Sequence, residues 1–162
     1  MAAEIPPTLK LVTSAIRRAE ELENDKNPDA RIVSYYCRYY AVSKGSKLCS
    51  VPAVAAETKF LIDEMGKLEK FKASIPPMTE DEGKNTCQTY AQKIFDQADD
   101  EDRAGAADKA TVKLFYAAGT FFDVMEQFGD ISPENIEKRK YAKWKATEIL
   151  NAIRSGVKPT PG

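Results

Sequence analysis

Apolar residues recur at helical spacing along most of this chain. In the first such segment they stand every three or four positions, which places them on one face of an α-helix: Leu9, Val12, Ala15, Ile16, Ala19 and Leu22. Few segments alternate apolar with polar residues, and β-branched residues are scarce, so no strand pattern competes. The spacing therefore predicts an all-α protein of about six helices.

Capping residues and prolines predict where these helices begin. Asn27 followed by Pro28 has the residue types preferred at a helix N-cap and in its first turn. Thr79 and Glu82 have the spacing of a capping box, and Ser132 before Pro133 predicts the start of the last helix. The third helix is predicted from about Val51 to Ser74, the fifth from about Ala106 to Phe128, and the second and sixth end near Gly45 and Gly156.

A proline pair divides the helices into two groups of three. Pro76 and Pro77 follow Ile75 and interrupt the helical pattern. We therefore predict two antiparallel three-helix bundles packed in series, over residues 1–76 and 77–157. Residues 158–162 (Lys-Pro-Thr-Pro-Gly) are predicted to begin a flexible linker. A single six-helix bundle is the alternative.

The composition argues against several kinds of site. The chain has no histidine, which removes histidine metal ligands, Ser-His triads and Cys-His dyads. No glycine-rich phosphate loop is present. Cys37, Cys49 and Cys87 are odd in number and widely spaced, which is typical of a reduced cytosolic protein rather than a disulfide framework or a zinc site. We therefore predict no enzymatic activity, no metal and no cofactor.

Charge gives little support to a nucleic-acid partner. Lysine and arginine number 24 against 25 acidic residues. Lys138–Lys145 is basic and includes Tyr141 and Trp144, a combination that can bind single-stranded nucleic acid. Because there is no matching motif and no overall basic excess, we predict no nucleic-acid binding and expect Trp144 to pack between the two bundles. No apolar run is long enough to cross a bilayer, and no secretory signal precedes the first helix.

The third helix has more apolar surface than an outer helix of a small bundle needs. Its apolar residues spread over roughly 200° of the helix, and Glu57 and Glu64 lie within the same arc. We expect part of this surface to be open or covered by another molecule. Acids beside an apolar stripe suit an incoming helix that presents leucines and arginines. Alternatively, Phe60 or Ile62 packs against the second bundle.

Aromatic residues predict two further surfaces. Tyr35, Tyr36, Tyr39 and Tyr40 suit the rim of a groove, because tyrosine buries its ring while its hydroxyl reaches water, although each suits a core position equally well. On the fifth helix, most apolar residues share one face and are expected in the core. Phe115 and Phe122 lie at the edge of that face, and we predict that they form a second partner-binding surface.

Five stretches carry a resemblance to a known family. They are SYYCRYYA (Ser34–Ala41), ADDEDRAG (Ala98–Gly105), FYAA (Phe115–Ala118), FGDISPENI (Phe128–Ile136) and KYAKWKAT (Lys140–Thr147). Their order and spacing resemble the N-terminal region of the vacuolar-sorting cofactor that activates the ESCRT AAA ATPase. That region is a tandem pair of MIT (microtubule-interacting and transport) modules, and the resemblance covers nearly the whole chain.

The resemblance implies recognition without chemistry. Members of the family bind C-terminal tails of ESCRT-III subunits during multivesicular body sorting, in the cytoplasm and at the endosomal membrane. They contact the AAA ATPase through a C-terminal module that this chain lacks. Carried onto this sequence, the tail-binding groove would have two walls and an acid that meets an arginine of the tail. One wall is Leu61, Met65 and Leu68, the acid is Glu64 or Glu57, and the opposite wall is Tyr40 and Lys44. A generic helical scaffold or adaptor with other peptide partners is the alternative.

Overall fold

Helices are the only regular secondary structure in the computed structural model over residues 4–162, which are the residues it describes. The all-α prediction is therefore confirmed. The six α-helices are α1 (Thr13–Leu22), α2 (Pro28–Leu48), α3 (Ala55–Lys72), α4 (Glu80–Arg103), α5 (Lys109–Val124) and α6 (Pro133–Arg154), with short 3-10 helices at Pro7–Val12 and Met125–Phe128.

Side-chain caps confirm three predicted helix starts. At α2, the amide of Asp29 donates to Asn27 Oδ1 at 3.0 Å. At α4, Glu82 and Thr79 each donate their backbone amide to the other's side chain, at 3.1 and 3.0 Å. At α6, the amide of Asn135 donates to Ser132 Oγ at 3.1 Å. These bonds satisfy amide groups that the first turn of a helix leaves without partners.

Several helix boundaries differ from the prediction, among them the start of α3, which is Ala55 rather than about Val51. α2 continues past Gly45 to Leu48, because Gly45 is a packing position: a Cβ there would lie 3.0 Å from Leu61 Cδ2. α5 begins at Lys109 rather than Ala106, because Asp108 is its cap and accepts the amide of Thr111 at 3.1 Å.

The first unit of the chain is built around α2. This helix packs on α1, on the first 3-10 helix and on α3. Its core contains Leu9, Val12, Ile16, Val33 and Cys37, each at most 1% exposed.

The chain divides into two compact units, Met1–Cys87 and Gln88–Gly162, so the boundary between them lies inside α4. The first two turns of α4 belong to the first unit because they approach α2 closely. Cys87 is buried, and a Cβ on Gly83 would lie 2.2 Å from the hydroxyl oxygen of Tyr36. A continuous helix thus contributes residues to both units.

The second unit combines the rest of α4 with α5 and α6. Phe95 of α4 lies at its aromatic centre, with ring centroids 6.1 Å from Phe115, 6.2 Å from Phe122 and 6.0 Å from Tyr141. Small buried residues allow the helices to approach one another. These are Ala91, Ala98, Ala118, Ala142 and Ala146.

The segment after α6 lies against the second unit, although the sequence predicts a flexible linker over residues 158–162. Lys145 Nζ donates to the carbonyl of Thr160 at 2.8 Å, and the amide of Gly162 donates to Asp102 Oδ2 at 3.0 Å. Among the described residues, no helix is long and apolar enough to cross a membrane.

Candidate peptide-binding surface

A buried cation fixes the hairpin formed by α2 and α3. Arg38 is 2% exposed, and its Nε donates to Glu64 Oε1 at 3.2 Å. Its Nη1 donates to Glu23 Oε2, also at 3.2 Å, just after the end of α1. Lys67 adds a second cation 2.9 Å from Glu64. Charges withdrawn from water are tolerated only when paired and hydrogen-bonded, so this cluster specifies one arrangement of the three helices.

One side of α3 is apolar and open. Met65 is 47% exposed and Ile62 is 61% exposed, while Leu61 and Leu68 are half-buried. Leu61, Met65 and Leu68 stand at i, i+4 and i+7 and therefore form a continuous stripe. The three predicted α3 residues are thus brought together at the surface of the first unit.

Helical periodicity sets the predicted opposite wall, Tyr40 and Lys44, away from the stripe of α3. α2 faces α3 through Gly45, and at about 100° per residue Tyr40 and Lys44 lie about 140° and 100° around the helix from Gly45. Tyr40 is buried at 9% exposure and turns toward the side of α2 that Tyr36 and the start of α4 occupy. The sequence pattern did not show which side of α2 each neighbour covers.

The free side of α2 carries different residues. α1 covers the side of Ser34, whose hydroxyl donates to the carbonyl of Ala19 at 2.6 Å. Helical periodicity places Tyr35, Tyr39 and Val42 on the remaining side, next to the apolar stripe of α3. Tyr39 is 45% exposed, and its ring centroid lies 6.2 Å from that of Tyr35. We name the surface formed by Tyr35, Tyr39, Val42, Leu61, Met65 and Leu68 the α2–α3 groove.

Glu57, predicted to meet an arginine of a partner, is occupied inside the fold. It has no exposed surface, and its carboxylate accepts the amides of Ser50 and Val54 and the hydroxyls of Ser50 and Thr8. These bonds, led by that of Thr8, lower the pKa of Glu57 to about 2. Glu57 therefore holds the α2–α3 connection and the N-terminal segment together, and the prediction of a partner-binding role is corrected.

Glu64 is also committed internally, because it is fully buried and paired with Arg38 and Lys67. The arginine that was expected from a partner has an internal counterpart in Arg38. An accessible acid on the groove side is Glu69, one helical turn after Met65 and exposed. A helical wheel alone did not identify it, since the wheel does not show which acids have partners on other helices.

The predicted surface pair of the second unit is wrong as well. Phe115 and Phe122 are both 0% exposed and pack on Phe95. α5 is apolar on most of its sides, and such a helix is buried on most of its sides. The exposed aromatic residues of this unit are Tyr116, at 39%, and Trp144, at 56%.

Four basic residues of α6 have partners within their own unit. Arg139 and Lys143 bind Asp123 at 3.3 and 2.8 Å. Lys138 donates to Gln92, and Lys145 pairs with Asp102 at 3.2 Å. These contacts use much of the positive charge that a nucleic acid would need.

The described residues contain no group of three or more acidic or cysteine side chains arranged to hold a metal ion. The three cysteines are free, and burial raises the pKa of Cys87 to about 12. This thiol therefore stays protonated and unreactive at neutral pH. The described residues therefore offer a partner apolar contacts, hydrogen bonds and charges.

The fold and the α2–α3 groove define an all-helical protein whose first unit has an open apolar surface. The chain belongs to the family described as Vta1 like, whose model matches residues 11–155. This match confirms the resemblance drawn from the sequence as far as the family is concerned.

Curated relatives match nearly the whole chain. The homolog of mammalian LYST-interacting protein 5 from Arabidopsis thaliana is 40% identical over 147 residues, which are 91% of this chain and 34% of that protein. The vacuolar protein sorting-associated protein VTA1 homologs of Bos taurus and Homo sapiens are 38% and 37% identical over 160 residues, 98% of this chain and 51% of each relative. The chain thus spans between about a third and a half of the length of these relatives.

Proposed function

We propose that this chain binds C-terminal tails of ESCRT-III subunits, as the N-terminal MIT pair of a regulator of the ESCRT AAA ATPase. Membership of the Vta1-like family supports the pathway, since the VTA1 homologs are named as vacuolar protein sorting-associated proteins. The observation that carries the binding role is the α2–α3 groove, an apolar stripe left open although a rigid network holds both of its helices.

The groove fits an amphipathic helix with leucines one turn apart. Such a helix would place its leucines between the stripe Leu61, Met65 and Leu68 and the rings of Tyr35 and Tyr39. Each buried leucine contributes about 1.5–3 kcal/mol before the cost of ordering the tail. With two or three leucines, the expected dissociation constant is micromolar or so.

Charge would set the direction of the tail helix in the groove. Glu69 is exposed beside the apolar stripe, so an arginine or lysine one turn from the leucines of the tail would meet it. Because an exposed ion pair contributes little, Glu69 would affect orientation and specificity more than affinity.

Contact with the AAA ATPase is not assigned to these 162 residues. The chain covers 51% of the VTA1 homologs, and we place the contact with the AAA ATPase in a C-terminal module. In this view the protein moves from the cytoplasm to the endosomal membrane when the MIT pair binds ESCRT-III, and there it promotes disassembly of ESCRT-III during multivesicular body sorting.

Fluorescence anisotropy with labelled tail peptides of each ESCRT-III subunit tests the proposal. The double variant Met65→Asp and Leu68→Asp should lose at least about tenfold in affinity for the tails that bind, since it removes more than about 1.4 kcal/mol of apolar contact. Leu11→Asp is the matched control, because Leu11 is 75% exposed outside the groove and should leave affinity unchanged.

Two outcomes would count against the proposal. Binding that survives in the double variant would place the tail on another face of the protein. If no tail bound the wild-type chain, a helical adaptor with other peptide partners would become the better account. Circular dichroism of each variant separates loss of binding from loss of helix.

A further inference from the structure

The second unit contains a buried ion pair that neither the groove nor the proposed function uses. Asp102, near the end of α4, is 0% exposed, and Lys145, in the middle of α6, is 5% exposed. Their charged atoms lie 3.2 Å apart. Such a pair is stable only when further hydrogen bonds use its remaining donors and acceptors.

The residues that follow α6 supply those hydrogen bonds from their backbone. Lys145 Nζ donates to the carbonyl of Thr160 at 2.8 Å, and the amide of Gly162 donates to Asp102 Oδ2 at 3.0 Å. One acceptor is left, since Asp102 Oδ1 is buried without a hydrogen-bond partner. Both contacts use peptide groups, so the pair binds the backbone of the segment rather than a particular side chain.

Steric fit adds a requirement for glycine. A Cβ on Gly162 would lie 2.7 Å from both Asp102 Oδ2 and the hydroxyl oxygen of Tyr141. Side-chain carbons do not approach other atoms this closely, so a larger residue opposite Asp102 would have to displace the Asp102 carboxylate or the Tyr141 hydroxyl.

Prolines and aromatic rings complete the site. Pro159 and Pro161 lie with Tyr141 and Trp144 along the cleft between α6 and the segment that follows it. Proline holds the backbone extended and reduces the entropy lost on binding, and aromatic side chains are its usual partners. Lys145 Nζ lies 5.8 Å from the centre of the Trp144 ring and so joins the ion pair to this aromatic surface.

We propose that Asp102, Lys145, Tyr141 and Trp144 form a binding site for an extended proline- and glycine-containing peptide. Here the chain's own residues 158–162 occupy this site. Lys145 holds a carbonyl, Asp102 holds an amide two residues later, and a larger residue at the glycine position would disturb the Asp102 carboxylate. A peptide of the same pattern, Lys-Pro-Thr-Pro-Gly, competes with the chain's own segment for the site.

Trp144 reports occupancy directly because it is the single tryptophan of the chain. Gly162→Val places a side chain against the Asp102 carboxylate and the Tyr141 hydroxyl and should release the segment. Acrylamide should then quench Trp144 more strongly, and its emission should shift to longer wavelength. Thr160→Ala is the matched control, because it keeps the carbonyl that Lys145 holds and should leave both signals at their wild-type values.

Adding the free peptide Lys-Pro-Thr-Pro-Gly to the Gly162→Val chain should reverse the fluorescence change in a saturable manner. The reversal should be absent when Lys145→Gln is added, with helicity checked by circular dichroism. The proposal is overturned if Gly162→Val leaves Trp144 quenching unchanged, or if saturating free peptide does not reverse the change.

Discussion

At the scale of residues, three carboxylates with no exposed surface show three ways of holding a negative charge inside this fold. Glu57 is held by hydroxyls and backbone amides, Glu64 by Arg38 and Lys67, and Asp102 by Lys145 and the amide of Gly162. Each carboxylate joins segments that are distant in sequence. The free-energy cost of burying each carboxylate is offset only while its hydrogen-bond and ion-pair partners are present.

The hydrogen bonds of Glu57 predict a stability that depends on pH. Its pKa falls from 4.5 to about 2 on folding, so Glu57 contributes stability above pH 4.5 and loses it as the pH falls toward about 2. Relative to Glu57→Gln, the wild-type chain should be more stable at neutral pH, and the difference should shrink over this acid range. Urea unfolding at a series of pH values measures it. If the difference in free energy of unfolding between the wild type and Glu57→Gln stayed constant down to pH 2, Glu57 would not have this role.

Burial of the phenylalanines of α5 predicts a large stability effect. Phe122→Ala should lower the free energy of unfolding by about 3–5 kcal/mol, because it removes a fully buried ring and leaves a cavity. Tyr116→Ala on the same helix should cost less than about 1 kcal/mol, since Tyr116 is 39% exposed. Chemical denaturation gives both values. If Phe122→Ala lowered the free energy of unfolding as little as Tyr116→Ala, Phe122 would lie at the surface, as the sequence predicted.

At the scale of elements, the α2–α3 hairpin depends on one close approach and one buried cation. Gly45 lets Leu61 lie against the backbone of α2, and Arg38 joins α2 to both α1 and α3. The groove is therefore formed before any partner arrives, and a tail would lose its own entropy without reorganising the protein.

Two glycines test this packing with the same substitution. Gly45→Val should destabilise the chain by about 1–3 kcal/mol, because a Cβ at Gly45 already lies 3.0 Å from Leu61. Gly66→Val should be neutral or slightly stabilising, since no atom lies within 4 Å of a Cβ at Gly66 and valine has the better helix propensity. Thermal unfolding compares the two variants. Equal effects would contradict the close approach of α2 and α3.

The sequence predicted the features of these elements that are local. The starts of α2, α4 and α6 depend on Asn27, Thr79 and Ser132, whose partners lie two or three residues away. The stripe on α3 follows from helical period alone. Pairings between helices were not predictable, because a wheel does not show that Glu64 meets Arg38, 26 positions earlier. The boundary inside α4 has no local signal, since the helix continues across it.

At the scale of the whole molecule, the two units present different kinds of surface. The first has an open apolar stripe on α3, and the second has a buried ion pair that the segment after α6 contacts through its backbone. The proposed role in ESCRT-III recognition depends on the groove, so its occupancy is the claim to test first.

Methyl NMR of the methionines tests that occupancy most directly. Met65 lies in the α2–α3 groove at 47% exposure, and Met125 is buried in the second unit at 4%. When a binding ESCRT-III tail peptide is titrated into the chain labelled at its methionine methyl groups, the Met65 signal should shift progressively and saturate. The Met125 signal should stay in place. Saturable tail binding that leaves Met65 unmoved would contradict the proposal that the α2–α3 groove binds these tails.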